Sequence, residues 1–481
     1  MRNAGNARND SARSESLAER IGQIPGTIKH AFATFLGVPT IVVGIFLVLA
    51  VVTYVLDQRD ASQLDPLAQF LQSHLFADAE STTQTLGNIA GGMITITSIT
   101  FSLLLVALQQ SAGSMTHAVF DQFLRRYLNQ VYAGWFIGIT LYTLITLATV
   151  RPEFNPIYGA TLSLFFAVSA LYVLLLLIYS AIEQMRPSAI LESIHDHTLR
   201  ARERQRSLLR RTRRQARLTG PPRCTVRSPE DGFVTAIDLD AIAKALDEAP
   251  RAEVALHLPL GAYAAFGDPL AEVRAAPADD IADLEQAIAG AIRLERERDL
   301  ERDPSFGLEQ METIAWTTIS TSKQDPNPGL EAVRNLRDLL ARWAVADEET
   351  DGEDSSAERL PIVYPDDVLE RLMGTIESLT VVASESMQHH VYADILRGLA
   401  ITLDRLPPPL ARRTEELVLR SLAGMGDHVL TAELDDALAD VTDALEAADL
   451  IEGASAVRAA RAGLATSVGR LNSRATRVPS E

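Results

Sequence analysis

The sequence predicts a mainly α-helical membrane protein in which four transmembrane helices precede a small β module and a cytoplasmic α-helical bundle. Three observations predict this class. Long uncharged apolar runs fall before residue 183 of the 481 residues, a short stretch after residue 220 alternates apolar and polar positions, and the remainder carries amphipathic helical patterns. Because alternation is typical of strands and a period of about 3.6 residues of helices, the three regions are expected to fold differently.

The charge balance and the cysteine content restrict the classes of function. The formal net charge is −19, which argues against nucleic acid as a partner because duplex recognition depends on a basic surface that neutralises phosphates. Cys224 is the single cysteine, which excludes an intramolecular disulfide and a metal site built on a cysteine pair. We therefore expect a reduced structural thiol.

Four segments are apolar over the length of about 20 residues that a helix needs to cross a bilayer. They cover residues 31–56, 88–109, 129–150 and 156–182, and together they define a transmembrane domain at 31–182. The first segment follows a polar stretch of about 30 residues and is longer than the apolar core of a signal peptide, so we interpret it as a retained anchor.

Positively charged residues predict the orientation of these helices, because Lys and Arg accumulate on the cytoplasmic side of a membrane. The N-terminal tail, residues 1–30, holds Arg2, Arg8, Arg13, Arg20 and Lys29. The loop at 57–85 holds Arg59 among five acidic residues, and the segment after the fourth span is strongly basic. Both termini are therefore predicted to be cytoplasmic.

Polar and small residues form a stripe along the second span. Winding the segment at about 100° per residue gathers them on about a third of the circumference. The stripe consists of Asn88, Gly91, Gly92, Thr95, Ser98, Ser102 and Gln109. Small residues at this spacing let helix backbones approach closely, which favours helix packing. Alternatively, several copies of the helix surround a water-filled path in a homo-oligomer.

Residues 183–219 predict a basic juxtamembrane helix. The residues expected to contact anionic lipid headgroups are Arg204, Arg206, Arg210, Arg211, Arg213 and Arg214. Each such arginine contributes about 1 kcal/mol near a membrane surface. The alternative is a solvated helix that only fixes the topology. His195 and His197 do not share a helical face, so they do not predict a metal site.

Residues 220–276 predict a small β module, with short alternating runs and glycines at Gly232, Gly261 and Gly267 where the chain turns. The pattern resembles the barrel-sandwich module of biotinyl and lipoyl domains. A carrier domain of that kind presents a lysine on a hairpin, whereas Lys244 lies in a helical pattern. We therefore predict no covalent cofactor.

Residues 277–470 predict the helical cytoplasmic domain, followed by a disordered tail at 471–481. Asp366 and Asp367, in YPDD, precede an apolar helical pattern and are interpreted as helix-capping and first-turn residues. We find no Walker loop, dinucleotide fingerprint, HExxH or GxSxG pattern. The sequence therefore names no catalytic residue, cofactor-binding residue or metal ligand.

Several runs resemble a known family. GGMITITSITFSLLLVALQQ, followed by FDQFLRRYLNQVYAGWFIGITLYTL, resembles the second and third spans of the bacterial integral membrane family called domain of unknown function 2254. The stretches DPSFGLEQMETIA, QDPNPGLEAVRNLRDLL and IVYPDD are similar to that family's soluble region. The resemblance implies a multi-span bacterial membrane protein with a cytoplasmic domain, and we expect the protein in the inner membrane. It implies no activity.

Two hypotheses of function follow from these patterns. In the first, the protein is an oligomer whose second span lines a path for a solute or forms the contact between subunits, and whose cytoplasmic domain serves gating or assembly. In the second, four helices anchor a scaffold or ligand-sensing protein that transports nothing. Both hypotheses place the chain in a lipid bilayer.

Overall fold

The computed structural model describes residues 36–58, 70, 75–114, 127–184, 186–276, 281–320, 325–352, 359–425 and 429–467. The two tails predicted from the sequence, 1–30 and 471–481, lie outside these ranges. The protein is mostly helical, and its chain divides into two compact units, Met1–Arg186 and Pro187–Glu481. Each unit is described by itself below.

The first unit contains four helices that are long and apolar enough to cross a membrane. They are α1 (Gly37–Asp57), α2 (Ala79–Ser114), α3 (Tyr127–Thr149) and α4 (Ile157–Gln184). The bounds of α3 and α4 agree with the predicted spans to within two residues, α1 is described from Gly37 rather than from Ala31, and α2 covers Ala79–Ser114 rather than 88–109. Hydropathy predicts such helices well because a spanning backbone must satisfy its own hydrogen bonds.

Two glycines of α3 allow α1 to pack closely against it. A Cβ atom added at Gly134 would lie 2.9 Å from the Cα atom of Pro39, and one added at Gly138 would lie 2.3 Å from Cδ2 of Phe46. The Phe46 ring in turn packs edge-on against Trp135, with centroids 5.4 Å apart. The GxxxG spacing in α3 therefore brings two helix backbones together.

The last residues of α1 and α3 and the first residues of α2 and α4 lie at the same end of this bundle. The carboxylate of Asp57 accepts hydrogen bonds from the backbone N–H groups of Tyr158, at 2.8 Å, and Gly159, at 3.0 Å. Asn155 donates from Nδ2 to the carbonyl oxygen of Phe76 at 2.9 Å. The four helices therefore alternate in direction.

The second unit contains ten further helices among the described residues. They are α5 (Pro187–Arg211), α6 (Leu239–Leu246), α7 (Ala282–Ala291), α8 (Pro304–Ile319), α9 (Asn327–Gly352), α10 (Val368–Glu385), α11 (His389–Leu403), α12 (Pro408–Leu422), α13 (Ala432–Ala447) and α14 (Ile451–Ser467). The basic helix α5 belongs to the packed interior of this unit, since Leu191, Ile194 and Ala201 are fully buried. Gly307 allows α8 to approach α5 closely, because a Cβ atom added at Gly307 would lie 1.8 Å from Oγ1 of Thr198.

Two small sheets stand beside these helices. The strands are β1 (Cys224–Arg227), β2 (Gly232–Ile237), β3 (Glu253–Leu256), β4 (Tyr263–Ala264), β5 (Pro269–Arg274), β6 (Ile292–Glu295) and β7 (Ile362–Val363). One sheet has the order β1-β5-β3-β7 and the other β4-β2-β6. All neighbours are antiparallel except β3 and β7, which are parallel. β6 and β7 come from beyond residue 276, so the sheets draw on more of the chain than the predicted module.

Candidate functional site

The polar stripe of α2 faces away from the interior of its own bundle. Its described members Asn88, Gly91, Gly92, Thr95, Ser98 and Ser102 are all exposed in the single chain. The side chain of Gln109 lies outside the described residues. The opposite face of α2 is the buried one, with Leu86, Ala90 and Met93 in the interior. A Cβ added at Gly91 or Gly92 would meet no described atom within 4 Å.

Two hydroxyl groups of the stripe, those of Thr95 and Ser98, bond within their own helix. Thr95 donates to the carbonyl oxygen of Gly91 and Ser98 to that of Ile94, both at 3.0 Å. The hydroxyl that meets another helix belongs to Thr97, outside the stripe, which lies 3.1 Å from Oγ1 of Thr140 on α3. Back-bonded hydroxyls leave a surface of small side chains, which another helix can approach without leaving the donors unsatisfied.

The arginines that the sequence assigns to lipid contact are spread over different partners in the second unit. Arg204 lies 3.2 Å from Glu301, Arg206 lies 2.9 Å from Glu203 and Arg213 lies 4.0 Å from Glu253. Arg211 pairs with Asp240. Arg210 is exposed, and Arg214 is partly buried. Arg213 also joins a sheet, because its backbone N–H donates to the carbonyl oxygen of Ile362 at 2.8 Å. α5 is thus a structural helix of this unit as well as a basic one.

Arg202, which the sequence did not single out, makes the buried contact of this helix. Its guanidinium donates to both carboxylate oxygens of Asp366, at 2.7 and 2.8 Å, and the two side chains are 4% and 8% exposed. Arg202 also donates to Oε1 of Gln205 at 2.9 Å, and Gln205 donates to the hydroxyl of Tyr364 at 3.0 Å. The Tyr364 hydroxyl accepts from the N–H of Leu260 at 2.9 Å, and burial raises its pKa. This polar network joins α5, the loop before β4 and the segment before α10.

The interpretation of YPDD is corrected by this network. Asp366 does not serve the first turn of α10, because Arg202 holds its carboxylate. Asp367 occupies the N-cap position but makes no side-chain cap bond, and it accepts instead from Nε of Arg371 at 2.7 Å. Sequence spacing could not reveal the Arg202 contact, since the partners are 164 residues apart.

A second buried pair also escaped prediction. Asp303 is the N-cap of α8, accepting from the N–H of Phe306 at 3.1 Å, and it also accepts from Nε of Arg298 at 2.7 Å. Burial raises the pKa of Asp303, while the Arg298 guanidinium lowers it. Gly261, with φ of +83°, lies against this carboxylate. The glycine was predicted only as a turn residue.

Three further side chains considered in the sequence analysis are His195, Cys224 and Lys244. His195 lies with Nε2 2.9 Å from the carboxylate of Asp338, and the described residues contain no group of three potential metal ligands. Burial raises the pKa of Cys224 to about 12, so this thiol stays protonated at neutral pH. Lys244 lies in the last turn of α6.

Four helices that are long and apolar enough to cross a membrane, followed by a second, mixed unit, are typical of a membrane protein. The chain belongs to the family described as "Predicted membrane protein (DUF2254)", which matches residues 33–390. The family resemblance drawn from the sequence is therefore confirmed.

Two curated relatives extend this assignment. An uncharacterized protein of Mycobacterium bovis and an uncharacterized protein of Mycobacterium tuberculosis are each 27% identical to this chain over 274 residues, which is 54% of the chain. The matched part is 52% of each relative, so the chain spans about half the length of the curated relatives it matches. No solved structure matches the chain.

Proposed function

We propose that this chain is a self-associating protein of the bacterial inner membrane, in which the polar stripe of α2 forms the contact between subunits. The observation that carries the proposal is the outward direction of the whole described stripe, from Asn88 to Ser102. A polar residue such as Asn88 that faces lipid is unfavourable, and a second helix against it supplies hydrogen-bond partners.

The proposed topology places both termini and the second unit in the cytoplasm. The support is the concentration of arginine in residues 1–30 and after α4, together with the helix ends that lie at one end of the bundle near Asp57. Anionic headgroups are the proposed partners of the basic helix α5. Arg210 is exposed, as are Arg204 and Arg211, which pair with Glu301 and Asp240.

Disulfide crosslinking tests the subunit contact. In a Cys224→Ser background, cysteines introduced singly at Thr95 and Ser98 are expected to crosslink two copies in the membrane. Phe101→Cys is the matched control, since Phe101 is also exposed but lies off the stripe on the same helix. The mass of the detergent-solubilised complex, corrected for bound detergent, is expected to be a defined multiple of 52.4 kDa.

The same measurements can also reject the proposed contact between subunits. A monomeric mass, with equal crosslinking at Ser98 and Phe101, would reject the contact and favour the alternative of a membrane-anchored scaffold. If the stripe is confirmed as a contact, liposome flux assays decide whether the oligomer also encloses a path. An ion flux that is present in wild type and lost in Ser98→Leu would support a channel. The absence of flux in both wild type and Ser98→Leu would support self-association without a path.

A further inference from the structure

A cavity of about 380 Å³ lies between α5 and α9 in the second unit. Its lining consists of Leu199, Arg200, Arg202, Glu203, Arg206, Arg342 and Trp343. The lining thus carries four guanidinium groups and one carboxylate. Its volume falls in the range of small-molecule sites, about 300–1,000 Å³. We propose that this cavity binds a phosphate group, carried either by a small soluble anion or by a lipid headgroup.

The floor of the cavity is fixed. Arg202 is 4% exposed on its side chain, Asp366 holds it through two hydrogen bonds, and it lies 5.8 Å from the ring centroid of the buried Trp343. A charged group that is held in this way does not need to be ordered when a ligand arrives, which lowers the entropic cost of binding. The floor therefore supplies a guanidinium group that is already ordered, with its charge balanced by Asp366.

The rim of the cavity consists of arginines with weaker partners. Arg200 lies 3.6 Å from Asp196, Arg206 lies 2.9 Å from Glu203, and Arg342 lies 2.7 Å from Asp338, which also meets His195. Of these carboxylates, Glu203 belongs to the lining. All three arginine side chains are at least 32% exposed, so these pairs are readily exchanged.

Phosphate is the ligand chemistry that suits such a rim. Guanidinium groups bind phosphate through two parallel charge-assisted hydrogen bonds, and several of them around one cavity match its multiple oxygens. The four carboxylates paired with the arginines balance the charge before binding, and a doubly charged anion displaces the exposed ones from the rim. A neutral or cationic ligand has no comparable advantage at this site.

Binding of inorganic pyrophosphate to the full chain tests the soluble source. The protein is held in nanodiscs of zwitterionic phosphatidylcholine, and binding is measured by calorimetry for wild type and for Arg206→Gln and Arg342→Gln. Each substitution is expected to weaken binding at least about tenfold, since it removes a charge-assisted contact. Arg420→Gln is the matched control, because Arg420 is similarly exposed and pairs with Glu377 on other helices.

Retention of phosphatidylglycerol in native mass spectrometry tests the headgroup source with the same variants. Pyrophosphate binding that the cavity variants weaken and the control does not supports a soluble phosphate ligand. Lipid retention lost in the cavity variants alone supports a headgroup. The proposal is overturned if Arg206→Gln, Arg342→Gln and Arg420→Gln behave alike in both measurements while the unfolding temperatures match that of wild type.

Discussion

Arg202 and Asp366 show how much a single buried pair adds to the second unit. Each charged group would be costly to bury alone. The Arg202 guanidinium donates two hydrogen bonds to the Asp366 carboxylate and another to Oε1 of Gln205. Breaking such a pair is worse than replacing it, because one uncompensated charge is left inside. The pair is therefore the residue-scale feature on which the position of α5 depends.

Asp366→Ala is expected to lower the free energy of unfolding of the second unit by about 3–5 kcal/mol, since Arg202 would remain buried without its carboxylate. Denaturant unfolding followed by tryptophan fluorescence measures this. The double substitution of Arg202→Met with Asp366→Leu is expected to cost less than Asp366→Ala alone. Equal losses in the single and double variants would show that the charge is not the cause.

Alanine substitutions at Gly261 and Gly267 distinguish the effect of backbone strain from the effect of a steric clash. Both have positive φ, +83° and +86°, so alanine is strained equally at each. A Cβ at Gly261 would lie 1.9 Å from Oδ2 of Asp303, whereas one at Gly267 meets no described atom within 4 Å. Gly261→Ala is therefore expected to destabilise by about 1–3 kcal/mol more than Gly267→Ala, measured by thermal unfolding. Equal effects would contradict the contact.

His389 makes the stability of the second unit depend on pH. Burial lowers its pKa below the ordinary value, and the neighbouring His390 charge adds to this. The unfolded chain then binds more protons than the folded one as the pH falls below about 6.5, so stability is present above that pH and is lost below it. His389→Gln is expected to flatten the fall in unfolding temperature between about pH 7.5 and 5.5. His197, whose pKa is also lowered, keeps part of the slope. An unchanged slope would exclude His389.

At the scale of elements, the first unit uses two different helix surfaces. α3 presents Gly134 and Gly138 to α1, and this surface is filled within the single chain. α2 presents Gly91 and Gly92 outward, and no described atom covers them. The same class of sequence signal therefore marks a completed contact in one helix and an open face in another.

Substitutions in the two glycine pairs distinguish these surfaces. Gly138→Ala is expected to lower the stability of the detergent-solubilised bundle by about 1–3 kcal/mol, because Phe46 is packed against Trp135 and Phe166 and has no room to move. Gly91→Ala is expected to leave the stability of the single-chain bundle unchanged, because its Cβ would meet no described atom of the chain, and to weaken self-association instead. The measurement is thermal unfolding followed by Trp135 fluorescence. A loss from Gly91→Ala as large as that from Gly138→Ala would mean that α2 packs differently.

The elements themselves were predictable, and their contacts were not. Each of the four spans follows from apolar length, because the bilayer forces every backbone polar group to bond within its helix. The GWFIG run in α3 contains the GxxxG spacing that predicts close helix packing. The polar stripe in α2 is the more prominent pattern in the sequence. Which face of α2 points inward depends on three neighbouring helices, and periodicity within one helix does not encode that choice.

At the scale of the whole molecule, the chain divides into two units between Arg186 and Pro187, and α5 belongs to the second unit. The sequence predicts a juxtamembrane helix at 183–219, and α5 covers Pro187–Arg211 of that segment. Leu208 and Leu209 pack into the same core as Val254 and Ile362 of the sheets. Arginines separate the buried apolar residues of α5 along the sequence. The charged composition of the helix therefore does not indicate that one of its faces is buried.

Two fragments test this boundary. A fragment of residues 187–481 is expected to be soluble and to unfold cooperatively, because it retains α5 with its buried leucines and Arg202. A fragment of residues 221–481 is expected to aggregate, since it exposes the apolar surface that α5 covers and leaves Asp366 unpaired. Size-exclusion chromatography and circular dichroism distinguish the two. Cooperative folding of the shorter fragment would place the boundary after α5.

The contact between Asp57 and the start of α4 also determines when the first unit is complete during synthesis. A ribosome delivers the chain from its N-terminus, so Asp57 is made long before Tyr158, its partner 101 residues later. Until the fourth helix is inserted, a carboxylate at the end of the first helix lacks the two N–H donors that hold it. In nascent chains that stop after α3, the Asp57 carboxylate therefore lacks these hydrogen bonds and is accessible to the insertion machinery and to membrane proteases.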